Sequence, residues 1–356
     1  VHTINARNVE EAWNMFRVLA ASANAEYLWN EVSPRGMRTR EFISPVTTAY
    51  SHPHENILLD PVRDANPFFH LFESLWILNG RRDVVTLRPF LGSLEKFSDD
   101  GITYHGAYGY RMRVAYGIDQ FSSVLRMLSH DLDSRRAVIQ IWSVEKDLEF
   151  NSKDIPCNDM VMLKVRNGAL NMTVCNRSND AVWGCYGANA VQFAVLLEYL
   201  ASKLGVDVGY LRQVSDSYHY YLDGASADVW KRCAAEPVRL MQDYSLESRD
   251  LFHMPMDAGH LEFDNAVGQY LNWASGITAA FPDFGNRWFE KVVYPMGLAH
   301  IKYREGDMEA ALHTLGAAIS DSLYLGRREA WLVAGMDWMA RRNSAQMRKE
   351  EKQNVA

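Results

Sequence analysis

Cys157 lies in the run Asp154-Ile-Pro-Cys-Asn-Asp159, directly after a proline and before two polar side chains. A structural cysteine usually sits among apolar neighbours, as Cys175 does. A thiol on a rigid, polar turn is aimed outward, and as a thiolate it can attack an electrophilic carbon. Further on, Asn176-Arg177-Ser178-Asn179-Asp180 crowds polar residues at a strand end, and a glycine-containing turn leads to Asn189 at the start of a helix. Unpaired N–H groups at a helix N-terminus, a guanidinium fork and a hydroxyl would cradle a phosphate. A solvated turn with a helix cap uses the same residue types, so this motif alone leaves both readings open.

The elements that must position these residues are partly legible. Residues 8–24 read as an amphipathic helix. Asn66-Pro67 before FFHLFESLWILNG predicts a capped helix, with Asn66 as N-cap, Pro67 in the first turn and Gly80 as the stop. Residues 136–142 (RAVIQIW) are a β-branched run that suits a buried strand, and residues 160–178 predict two strands around Asn167-Gly168, a strong hairpin signal. Ala190, Phe193, Ala194, Leu197, Ala201 and Leu204 repeat at helical spacing until Gly205. VGYLRQVSDSYHYYL is strand-like; beyond about residue 225 the chain reads as helical, ending in a charged tail, RKEEKQNVA, expected to fray. Strands in the middle with helices on either side indicate an α+β protein. Neither repeats nor a linker break the pattern, so a single compact unit is expected.

Composition narrows the function classes. With 356 residues, 48% of them hydrophobic, the chain can bury a large core. A net charge of −7 without a long basic run argues against sequence-independent nucleic-acid binding, while leaving room for a small anion held by a few arginines. Four cysteines (Cys157, Cys175, Cys185, Cys233) and no CxxC pair make a disulfide scaffold or a zinc ribbon a poor fit. The start, VHTINARNVEEAW, has no apolar signal core and no window resembles a membrane span, so a cytoplasmic protein with no membrane partner is expected. His52-Pro53-His54-Glu55 has two potential metal ligands without a matching second pair, and no metal site is assigned.

Taken in order, Ser134-Arg135-Arg136 before a strand, Pro156-Cys157, Arg177-Ser178 with Asp180, Gly184 leading to Asn189, and Asp216 leading to His219 and Tyr221 resemble thymidylate synthases and their nucleotide hydroxymethylase relatives. The resemblance runs from about Arg35 to Tyr221. It implies an α+β fold with a central mixed sheet flanked by helices, one sheet face being packed in a homodimer. It also implies a catalytic domain over residues 1–290, followed by a helical C-terminal extension over 291–356.

The resemblance further implies one-carbon transfer from 5,10-methylenetetrahydrofolate to C5 of a pyrimidine nucleoside monophosphate, with Cys157 attacking C6. Asn189 then matches the residue that pairs with the base. Arg177, Ser178 and Arg35 match phosphate binders, and Arg135 and Arg136 the pair that reaches the partner subunit's phosphate site. His219 and Tyr221 match the binders of the sugar hydroxyl. Glu73, flanked by apolar residues, matches a proton relay near C4; Tyr108 matches the tyrosine tied to loss of the C5 proton, and Asp180 the carboxylate facing the pterin.

Several positions depart from the methylase pattern. Asn158 stands where His is usual after Pro-Cys. One extra residue separates Gly184 from Asn189, and Tyr-Gly-Ala replaces Pro-Phe. Another separates Asp216 from His219, which makes Tyr218 and Tyr220 alternative equivalents. Leu94 falls where methylases carry a tryptophan beside the transferred carbon, and the tail is charged rather than apolar. A less water-tight site favours hydroxymethyl over methyl as product. The expectation is therefore a 5-hydroxymethylase, with dUMP favoured by Asn189 and dCMP or CMP as alternatives. The rivals are a thymidylate synthase and a nucleotide-binding homologue without turnover.

Overall fold

Asn66 and Pro67 begin the helix that the sequence assigns them: the Asn66 side chain accepts the Phe69 N–H at 3.1 Å. Gly80 follows its end at φ 69°. The hairpin signal also holds, since Asn167 and Gly168 both have positive φ (54° and 76°), as a type I′ turn requires. These come from a computed structural model that describes residues 2–238, 242–260, 262–281 and 285–355, without the side chains of 346–355.

In chain order the elements are β1 (His2–Ala6), α1 (Val9–Ala21), β2 (Trp29–Val32), β3 (Thr39–Phe42), β4 (Val46–Tyr50), α2 (Pro67–Leu78), α3 (Val84–Leu87), α4 (Tyr108–Arg113), α5 (Gln120–His130), β5 (Ala137–Gln140) and α6 (Val144–Asp147). There follow β6 (Asn158–Arg166), β7 (Ala169–Asp180), α7 (Asn189–Leu204), β8 (Asp207–Tyr221), α8 (Gly224–Ala234), β9 (Leu251–Phe252), α9 (Phe263–Ala274), α10 (Tyr294–Arg304), α11 (Met308–Asp321), β10 (Arg328–Glu329) and α12 (Ala330–Val355). The charged tail thus continues α12 as helix, and its side chains from residue 346 lie outside the described residues.

The main sheet is mixed, in the order β1-β4-β8-β7-β6-β5, with β3 joining β8 and β2 joining β3. Two pairings set the site. Parallel pairing of β7 with β8 puts Ser178 opposite Ser217 and Asp180 opposite His219. Antiparallel pairing of β6 with β7 brings the loop before β6 to the end of β7, where Arg177 N–H bonds the Cys157 carbonyl at 3.0 Å.

Helices α2 and α7 are buried almost all round and lie against each other. Their polar residues are therefore enclosed, which is how Glu73, Asn189 and Gln192 come to share one space. Gly109 lets α4 close on α2: a Cβ there would stand 2.2 Å from the Ile77 carbonyl oxygen. At the other end of the chain a helical stretch crosses position 290, and Val292, Met296, Leu315, Trp331 and Trp338 join the same apolar core as the sheet.

Helix α7 opens at Asn189, as expected, but it is not preceded by an open turn. A wide π-type turn over Ala181–Ala188 precedes it, kinked by non-helical backbone at Tyr186 (φ −113°, ψ 38°) and Gly187 (φ −151°, ψ −120°), and the Asn189 N–H is bonded to the Gly184 carbonyl. The Asn189 N–H itself is therefore not free to bind an anion. A widened turn takes up one residue more than an α-turn, and here it turns Tyr186 inward, 3.0 Å from both the Thr48 and Tyr218 hydroxyls.

Candidate active site

The half-buried Cys157 lines a cleft of about 220 Å³. Its loop is clamped by Arg177, which donates from Nε to the Pro156 carbonyl at 2.8 Å and from Nη2 to the Ile155 carbonyl at 3.0 Å. The same Nη2 lies 4.0 Å from Sγ. Burial pushes the Cys157 pKa up, while the Arg177 and Arg35 charges pull it back and Asp154 adds to the rise. The two arginines therefore hold the thiolate within reach in a pocket that otherwise favours the thiol.

Glu73 faces the same cleft from α2. Burial raises its pKa to about 8, against the lowering effect of a 2.6 Å hydrogen bond from Gln192 Nε2. At neutral pH it carries a proton and can donate it. Tyr108, at the start of α4, also lines the cleft, with its hydroxyl kept firmly protonated by burial and by the nearby Cys157 and Asp154.

Asn189 and Asp180 complete the wall opposite. Asn189 is 8% exposed and donates from Nδ2 to Asn179 Oδ1 at 3.2 Å. Asp180 accepts from the Val182 N–H at 2.9 Å and the Ser226 hydroxyl at 2.8 Å; burial raises its pKa, with His219 opposing. Ser178 lines the cleft beside it.

Strand alternation decides the register left open by the extra residue before His219. Tyr218 and Tyr220 point into the aromatic core with Phe16 and Trp29. His219 and Tyr221 point the other way: the Tyr221 pKa feels Asp180, Cys157 and Arg35. His219 Nδ1 lies 3.1 Å from the Ser217 carbonyl, which can only accept from it.

Arg35 sits at φ 52° in the Pro34–Gly36 turn, exposed, and acts on Cys157 electrostatically rather than lining the cleft. Arg135 and Arg136 are exposed on the approach to β5, with no ion-pair partner among the described residues. The structure does not bring them to this chain's own cleft. Leu94 does line it, as counting from Tyr108 implied. In the histidine-rich loop, the Glu55 carboxylate is committed to Arg7 and Asn8.

Residues that motif reading passed over also belong here. Gln192 lies three positions after Asn189, a helical spacing that puts both on one face, and this was the available signal. Asn179, Asp154, Tyr104 and Trp183 line the cleft as well, Trp183 with 43% of its surface exposed. Together these groups supply a nucleophilic sulfur, a proton-bearing carboxyl, a directional amide and an aromatic wall, the set needed for covalent chemistry on a flat heteroaromatic ring.

The family model described as thymidylate synthase matches residues 54–257. The chain belongs to the thymidylate synthase family. It is similar to a deoxyuridylate hydroxymethyltransferase of Pseudomonas phage M6, 36% identical over 318 residues and covering 85% of each chain. A deoxyuridylate hydroxymethyltransferase of Bacillus phage SP01 is 40% identical over 209 residues, 56% of this chain and 54% of that one. Among solved structures, thymidylate synthase from T4 phage is 18% identical with a TM-score of 0.49, over 63% of this chain and 80% of that one.

Proposed function

We propose that this chain is a one-carbon transferase that converts dUMP to its 5-hydroxymethyl derivative, using 5,10-methylenetetrahydrofolate and a covalent Cys157 adduct. The observation that carries the reading is that Cys157, Glu73 and Asn189 line one cleft. The phage M6 and SP01 relatives, named as deoxyuridylate hydroxymethyltransferases, support the choice of substrate and product.

On this reading Cys157 adds to C6 of the pyrimidine, and C5 becomes the nucleophile. Asn189 holds the base edge at N3 and O4, and Glu73 exchanges a proton at O4 as charge develops there. Tyr108 serves the C5 proton. Arg35, Arg177 and Ser178 face the phosphate, His219 and Tyr221 the sugar hydroxyl. The flat, partly exposed indole of Trp183, with Leu94 and the Asp180 carboxylate nearby, fits a pterin and its aromatic extension. When bound, the folate supplies a one-carbon unit at the oxidation level of formaldehyde. Product choice turns on whether water reaches C5's new substituent.

A methyl product is the second reading, and Trp183 favours it, because it returns an indole to the cleft despite Leu94. Half-exposed apolar residues on the sheet's outer face, Val138 and Met162 among them, suit a homodimer in which Arg135 and Arg136 reach the partner's phosphate site. Residues 291–356 form a helical C-terminal part that continues the helix crossing position 290 and packs into the same core as the catalytic unit of residues 1–290. The test is intact-protein mass after incubation with a 5-fluoro-dUMP probe and methylenetetrahydrofolate. An adduct mapped to Cys157 supports the reading; an unmodified Cys157 in folded protein overturns it.

A further inference from the structure

A relay of side-chain amides leads from the backbone to the cleft. Gln213 Nε2 donates to the Cys185 carbonyl at 3.1 Å and to the Tyr50 hydroxyl at 3.2 Å. A carbonyl oxygen only accepts, so Gln213 has one orientation: nitrogen toward Cys185, Oε1 toward Asn179. Asn179 Nδ2 meets that oxygen at 3.4 Å and the Ser215 hydroxyl at 3.1 Å, which turns Asn179 Oδ1 toward Asn189. There it accepts from Asn189 Nδ2 at 3.2 Å.

Asn179, Gln213 and Ser215 are 2%, 0% and 1% exposed, so a reversed amide would find no water to replace the bonds it loses. Gly184 makes room for the last link: a Cβ there would stand 2.8 Å from Asn179 Oδ1 and 3.1 Å from Asn189 Nδ2. Asn189 Oδ1, by contrast, has no partner among the described residues, and Asn189 lines the cleft.

We infer that Gln213 and Asn179 are positioning residues that lock the Asn189 amide in the orientation that accepts from N3–H and donates to O4. That pattern fits uracil and opposes cytosine, which presents a bare N3 and an amino group. An asparagine free to flip would serve both bases; this one is anchored, through two neighbours, to a main-chain carbonyl. The inference rests on the nucleotide reading above, in which the base docks against Asn189.

The test is calorimetric titration of the full chain with dUMP and dCMP. Wild type is expected to favour dUMP by on the order of 10- to 100-fold, the usual discrimination of a two-bond base contact. In N179A, and in the same direction in Q213L, the preference is expected to fall to a few-fold because dCMP binding improves relative to dUMP. If N179A does not fold by circular dichroism, N179S, whose hydroxyl either donates or accepts, gives the same readout. Wild type that binds dCMP as well as dUMP overturns the relay and leaves the transferase reading standing. Variants that weaken both nucleotides equally also overturn it, since a purely structural role would do that. Wild type that binds neither nucleotide overturns the transferase reading, and the relay with it.

Discussion

Gln192 Nε2 bonds Glu73 Oε2 at 2.6 Å, linking α7 to α2 within the lining of the cleft. The bond partly offsets the burial of the carboxyl, yet its pKa still stands at about 8 against an ordinary 4.5. The folded chain therefore keeps a proton that the unfolded chain releases near 4.5. Native protein binds more protons across that window, so this group's contribution to stability is full below 4.5 and is lost as pH rises to about 8. The melting temperature of E73Q relative to wild type is expected to climb between pH 5 and pH 8, and a difference independent of pH would contradict the buried, protonated carboxyl.

The same substitution should remove proton exchange at O4. Turnover is expected to drop about 10²- to 10⁴-fold, the usual contribution of a positioned acid–base group. In wild type, activity that requires the protonated form falls as pH passes through about 8. A pH–rate profile of wild type and E73Q measures both.

Arg177 is expected to matter twice, as a clamp on the Pro156 and Ile155 carbonyls and as the charge nearest Sγ. R177A should raise the pH at which iodoacetamide alkylates Cys157 and slow the reaction at neutral pH. R177K should not restore it, because an ammonium cannot span two carbonyls as a fork does. Alkylation rates at Cys157 against pH, read by peptide mass, decide this; an unshifted profile in R177A would refute it.

Alternation on β8 separates two sets of aromatic residues. H219A and Y221F are expected to weaken nucleotide binding with little change in stability. Y218F should do the reverse, costing about 1 kcal/mol through the lost bond to the Tyr186 hydroxyl. Calorimetric binding and urea denaturation of the three variants check the assignment.

Subunit mixing tests the role given to Arg135 and Arg136. C157S and the R135A/R136A double variant should each be nearly inactive. After denaturation and refolding together they should recover activity in roughly a quarter of sites, since mixed dimers contain one complete site. No recovery would place both arginines outside the partner's site.

Local elements were legible because their signals are local. The Asn66 cap, the Asn167-Gly168 turn and the Gly205 stop at φ 68° each depend on a few adjacent residues. The cleft was legible where motifs name it: Cys157, Glu73, Tyr108, Ser178, Asp180, Asn189 and Leu94 all line it. What stayed hidden depends on chain segments far apart in sequence. Gln213 reaches Asn179 only because β7 and β8 are parallel neighbours, and Trp183 reaches the cleft only through the π-type turn. The helix start at Asn189 was legible, whereas the π-type turn before it was not, because one extra residue widens a turn without leaving a break in composition.

The central claim is tested most directly by incubating the protein with dUMP and methylenetetrahydrofolate, then taking the nucleotide's mass while following dihydrofolate absorbance. The account predicts a nucleotide heavier by one hydroxymethyl group, no dihydrofolate, and no product from C157S. A methyl product with matching dihydrofolate would contradict the hydroxymethylase and favour the methylase. An unchanged nucleotide would contradict one-carbon transfer at Cys157 altogether.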